Sequence, residues 1–170
     1  MGVSINKNKL KSYKLALNCD PISAFGGIVS CNFKINKTLA FELNKIFLEV
    51  VIANGFETDA LKILKKKKNI RIIDASEFMM KDLIKFSSVN ESILTQSEDL
   101  KVFEPKDFKV VSKLKPNRYQ LKNLIFAFNV CRYVKSNAIV LTSQEATVGI
   151  GSGQPSRLDS CQIAIDKMNK

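Results

Sequence analysis

Asp20-Pro21-Ile22-Ser23-Ala24-Phe25-Gly26-Gly27-Ile28-Val29-Ser30-Cys31-Asn32-Phe33 sets the fold class. Upstream, Leu10, Tyr13, Ala16 and Leu17 recur at helical spacing from Asn8 to about Asn18, and Asp20-Pro21 stops that helix. The paired glycines then turn the chain into Ile28 to Phe33, a short β-branched strand. A helix that stops, turns on glycines and re-enters as a strand is α/β punctuation.

The same alternation continues outward. Asn36 or Thr38 caps a second helix with Leu39, Leu43, Ile46 and Phe47 on one face, and Val50-Val51-Ile52-Ala53 reads as a buried strand. Thr58 opens a third helix through Leu61 and Leu64, ended by the lysine run 65–68, and Ile70 to Ile73 make another strand. From Ala75 to about Lys115 periodicity weakens, with strands expected at Ile93-Leu94-Thr95 and Phe108-Lys109-Val110-Val111. After Pro116-Asn117 an amphipathic helix runs to about Val134, burying Leu121, Leu124, Ile125, Phe128 and Cys131. Ala138 to Leu141 and Ala146 to Ile150 form a hairpin, and Ser156 starts a last helix carrying Leu158, Ile163 and Ile165. Five helices against five to seven strands, with no repeat and no linker, predict one layered α/β domain over residues 1–170.

Composition excludes several classes. The chain has 170 residues, 45% apolar and 25% charged, which is globular rather than disordered. No apolar run reaches the roughly 18 residues needed to span a bilayer, and the first residues are too polar for a secretory signal, so a cytoplasmic location without membrane contact is expected. Cys19, Cys31, Cys131 and Cys161 are widely spaced and histidine is absent, which predicts reduced structural thiols and no metal site. The net charge of +11 raises an RNA-binding reading. Against it, only Arg71, Arg118, Arg132 and Arg157 are arginines, and apart from the run 65–68 the lysines are scattered. A phosphorylated small molecule remains compatible with this field, and no nucleic-acid partner is expected.

Three segments differ from plain scaffold. In Asp20 to Gly27 the glycines let backbone approach a ligand and Phe25 offers a flat face, although a connection with a core phenylalanine fits equally. In Lys135-Ser136-Asn137, between a long helix and a strand, Asn137 reads first as a turn or cap residue. In Gly149-Ile150-Gly151-Ser152-Gly153-Gln154-Pro155-Ser156-Arg157, alternating glycines precede a helix N-terminus. Their N–H groups and Arg157 favour an anion, while Asp159 serves the helix dipole. Neither a dinucleotide fingerprint nor a P-loop is present.

These segments, together with Phe47 to Ala53 and Leu61 to Asn69, resemble in order the aminoimidazole carboxamide ribonucleotide (AICAR) transformylase part of the bifunctional purine-biosynthesis family, over nearly the whole chain. The resemblance implies transfer of a formyl group from 10-formyltetrahydrofolate to the 5-amino group of AICAR. It implies a zinc-free, cytidine-deaminase-like α/β unit with a mixed sheet, and a homodimer with composite sites. By it, Asn137, Arg157, Gly26 and Glu49 contact the ribonucleotide, and Phe25, Ile22 and Leu158 flank the folate. The family's catalytic Lys-His motif stands ahead of the position of Gly2-Val3, so no catalytic residue is expected in this chain. The same comparison leads us to expect a partial domain cut at both ends, without the inosine monophosphate cyclohydrolase domain. Pro155 replaces the Met or Gln of the family and stiffens the turn. A nucleotide-binding module without catalysis is the competing reading.

Overall fold

The computed structural model describes residues 1–78 and 84–169. Helix α1 (Lys9–Asn18) starts where Asn8 accepts from Lys11 N, and it ends before Asp20-Pro21 as the sequence requires. Strand β1 (Gly27–Cys31), helix α2 (Lys37–Leu43), strand β2 (Leu48–Ala53), helix α3 (Thr58–Leu64) and strand β3 (Arg71–Asp74) follow in alternation. They make a three-stranded parallel sheet in the order β1-β2-β3.

Asn36, not Thr38, caps α2 by accepting from Leu39 N at 3.0 Å. The helix ends at Leu43, so Ile46 and Phe47 lie on the link into β2 rather than on its face. Glu57 precedes α3 without capping it, and its carboxylate instead accepts from Lys37 N. One face of the parallel sheet packs Cys31, Leu48, Val51 and Ala53 under Leu39, Leu43, Ala60 and Leu64, with Tyr13 entering from α1. Burying each of the leucines and Val51 contributes about 1.5–3 kcal/mol, so this cluster is a main source of the unit's stability. Cys31 belongs to it, and burial pushes its thiol up to about 11, which makes it unreactive at neutral pH.

The second half is built from helix α4 (Arg118–Cys131), the antiparallel pair β6 (Ile139–Ser143) and β7 (Ala146–Gly151), and helix α5 (Arg157–Met168). Between the halves lies a hairpin of β4 (Ile84–Val89) and β5 (Ser92–Ser97), exposed along both strands. The expected strand at Ile93-Leu94-Thr95 is the centre of β5, and its partner β4 was not foreseen. Parallel and antiparallel strands therefore occupy separate sheets in this chain rather than one mixed sheet.

Three expectations fail for packing reasons. Residues 108–111 form no strand, because Phe108 joins Phe103 and Phe128 in an edge-on aromatic cluster on the outer side of α4. Helix α4 buries Asn123, Phe126 and Val130, while Leu124 and Phe128 are exposed and Leu121, Ile125 and Cys131 half-buried. Its inner face turns toward Asn123 because that side chain closes the β6–β7 turn, accepting from Glu145 N at 2.9 Å. Helix α5 buries Ser160 and Ala164, leaving Leu158 81% exposed and Ile163 and Ile165 half-buried.

Small residues define the α5 face because β7 approaches it backbone to backbone. A Cβ on Gly149 would stand 2.0 Å from Ala164 O, and one on Gly151 1.8 Å from Ser160 O. The N-terminal segment completes this half. Val3 and Thr147 exchange hydrogen bonds at 2.9 Å, Ser4 bridges Ala146, and Gly2 lies equally tight against Ala16 O. Helix α1 thus touches α2 on one side and β7 on the other, joining the halves. Gly151→Ala is expected to destabilise the fold by about 3 kcal/mol, as overpacking against fixed backbone does. In a thermal melt that corresponds to a midpoint lowered by roughly 6–12 °C. A midpoint within 2 °C of the parent, roughly the effect of under 1 kcal/mol, would refute the close approach.

Candidate functional site

The turn before α5 is held to the loop before β6 by a ladder centred on Asn137. Its main-chain N–H donates to Gln154 O at 3.2 Å, and its carboxamide nitrogen donates to Gln154 O at 3.0 Å and to Pro155 O at 2.9 Å. Gly153, at φ +68°, donates to Lys135 O at 2.7 Å. Asn137 is therefore more than a cap residue: it seats the turn from which α5 begins. Two residues beyond Pro155, exposed Arg157 opens α5, with Ser156 as N-cap accepting from Leu158 N. Among the described residues Arg157 has no carboxylate within salt-bridge distance, so its guanidinium is available to an anion beside the helix N-terminus.

A second group gathers at the entry to the parallel sheet. Gly26, at φ +69°, donates to Phe47 O at 2.9 Å. A Cβ there would lie 3.6 Å from the Phe47 ring and 3.8 Å from the Glu49 carboxylate, so the position needs glycine for its backbone angle rather than for space. Phe25 stacks obliquely on Phe47 with centroids 5.2 Å apart. It is 75% exposed and Ile22 76% exposed, which excludes the core reading of Phe25 and leaves both apolar surfaces facing outward. Beside them a hollow of about 520 Å³ is lined by Phe47, Glu49, Lys68, Asn69, Ile70 and Arg71. Sequence reading missed Phe47, Lys68 and Arg71. Phe47 already stands two residues from Glu49 in the chain, whereas the pairing of β2 with β3 brings Arg71, and the Lys68 segment before it, to the same hollow.

Among the described residues no hydrogen bond or ion pair joins the two groups. Asp20 begins the Gly26 loop and accepts from Lys167, in the last turn of α5, whereas Arg157 lies in its first turn. At 1.5 Å rise per residue those ends are roughly 15 Å apart. Leu158 lies beside Arg157 and so shares the first group rather than the phenylalanine patch.

The Asp20 carboxyl is 8% exposed, and burial alone would raise its pKa; hydrogen bonds from Lys167 and Ser23 outweigh that and hold it at about 2. Because the folded value lies below the ordinary 3.8, the stabilisation is present above about pH 4 and is lost as pH falls toward 2. It amounts to something on the order of 2 kcal/mol. Lys167→Met should melt lower than the parent above pH 4 and converge with it near pH 2; a gap independent of pH would exclude the ion pair as its source. Asn137→Asp should be less stable at neutral pH than Asn137→Ala, because a carboxylate then faces two carbonyls where a donor stood. Denaturant melts of both variants check the order, and the reverse order would mean that the carboxamide nitrogen is not what seats the turn.

The model of the AICARFT/IMPCHase bienzyme family matches residues 1–167. The bifunctional purine biosynthesis protein PurH of Clostridium acetobutylicum is 45% identical over 166 residues, covering 98% of this chain and 33% of the relative. Its counterpart in Brachyspira hyodysenteriae is 42% identical with 98% and 32% covered, and that of Leptospira biflexa 41% identical with 99% and 33% covered. The chain spans about a third of the length of these relatives. It belongs to the AICARFT/IMPCHase bienzyme family.

Proposed function

We propose that this chain is a segment of the formyltransferase that moves a formyl group from 10-formyltetrahydrofolate to the 5-amino group of AICAR in purine biosynthesis. The observation that carries the reading is the Asn137 ladder with an Arg157 at the α5 N-terminus that is unpaired among the described residues. A rigid polar edge beside an available guanidinium suits a phosphorylated ribonucleotide. Gly26 and Glu49 form the second ribonucleotide contact. Phe25, Ile22 and Leu158 supply apolar surface for the folate. Among the described residues no hydrogen bond or ion pair joins the two groups, and in this reading one complete pocket is assembled from two copies, each contributing a different wall.

Attack of the amine on the formyl carbon requires a group to take the amine proton and a cation near the developing oxyanion. We assign proton transfer to the Lys-His pair that the family resemblance implies, which has no counterpart histidine in these 170 residues. What this chain does is bind and orient. No helix among the described residues is long and apolar enough to cross a membrane, and a cytoplasmic location is part of the same reading.

The test is AICAR binding to the chain, with formyl transfer measured on the chain alone and on a version carrying the flanking regions of a relative. Arg157→Ala should weaken AICAR binding by about 10- to 100-fold, the range of a charge-assisted hydrogen-bonded pair. Transfer is expected only in the extended version. Binding without transfer in either version would favour a nucleotide-binding module, and an Arg157→Ala variant that binds AICAR like the parent would remove the site.

A further inference from the structure

Asn137 is held at every polar atom but one. Its N–H donates to Gln154 O, and both carboxamide protons are taken up by the carbonyls of Gln154 and Pro155. Its carbonyl accepts from the Ser160 hydroxyl at 2.7 Å, across 23 residues. Ser160 is fully buried, and Gly151 presses directly against its main-chain carbonyl, so the backbone that carries this hydroxyl cannot shift without disturbing the contact of α5 with β7. The carboxamide cannot be turned over either, because its oxygen would then face two carbonyl oxygens. Only Oδ1 remains without a protein partner among the described residues.

We propose that Ser160 is a positioning residue that fixes Asn137 from behind, so that Asn137 offers a ligand its Oδ1 alone. An oxygen held this way accepts from an N–H or O–H group and repels phosphate. Division of labour with Arg157 follows: Arg157 takes the anionic part of the ligand, and Asn137 takes an amine, amide or hydroxyl. The ligand part of this inference rests on the function proposed above; the link from Ser160 to Asn137 does not.

Two measurements on the full chain separate the two. In ¹⁵N NMR of the unliganded protein, the Asn137 carboxamide protons should exchange slowly in the parent and about tenfold faster in Ser160→Ala, with α5 main-chain amides unchanged. In AICAR titrations, Ser160→Ala should weaken binding about tenfold in the parent background and not further in an Asn137→Ala background. Unchanged carboxamide exchange overturns the positioning role. Equal weakening in both backgrounds also overturns it, since Ser160 would then act on α5 in general. A parent chain that ignores AICAR removes the functional reading, and the exchange measurement then decides the role of Ser160 alone.

Discussion

The contact between α5 and β7 is the constraint on which the candidate site depends. Two glycines on one face of β7 bring the strand backbone against the carbonyls of Ser160 and Ala164, where a single added methyl has no room. Close-packed interiors tolerate such an approach only when both surfaces are small, which is why Ser160 and Ala164 rather than the larger aliphatics face inward. The approach sets the depth of α5, and with it the reach of Ser160 to Asn137 and the position of Arg157 at the helix start. A packing requirement thereby sets the geometry of the candidate site.

The remaining structure links this unit to the parallel sheet through few but directional contacts. Helix α1 presents Ser12 to Ser4 on the β7 side and Tyr13 to the main core on the other. The Asp20–Lys167 pair ties the Gly26 loop to the far end of α5. Because one carboxylate with an inward hydrogen-bond set holds that loop, its exposed ends, Ile22 and Phe25, stay oriented outward while the base of the loop is fixed.

Much of the architecture was legible in local signals. Asn8, Asn36, Asn117 and Ser156 all cap where capping chemistry places them, and the alternation of helix with strand up to Asp74 follows from punctuation by Pro21, Gly26 and the lysine run. Strand β4 was missed because it lies next to weakly periodic sequence and, among the described residues, pairs only with β5, leaving no buried stripe to read. The inner faces of α4 and α5 were misread for a shared reason: periodicity assumes that the most apolar stripe is buried. Here Asn123 and Ser160 occupy that stripe because each satisfies backbone groups that the packing would otherwise leave unpaired.

Among the site residues, the sequence by itself determined the elements that carry Gly26, Asn137 and Arg157, and the family resemblance that singled them out. These depend on turn chemistry and motif order, which are local properties of the chain. Only the tertiary structure decided that Phe25 and Leu158 are exposed, that Lys68 and Arg71 stand beside Glu49, and that Asp20 ties the Gly26 loop to the end of α5 opposite Arg157. Those relations arise from strand pairing and from the depth of one helix against a glycine floor, quantities fixed by contacts between residues far apart in the chain.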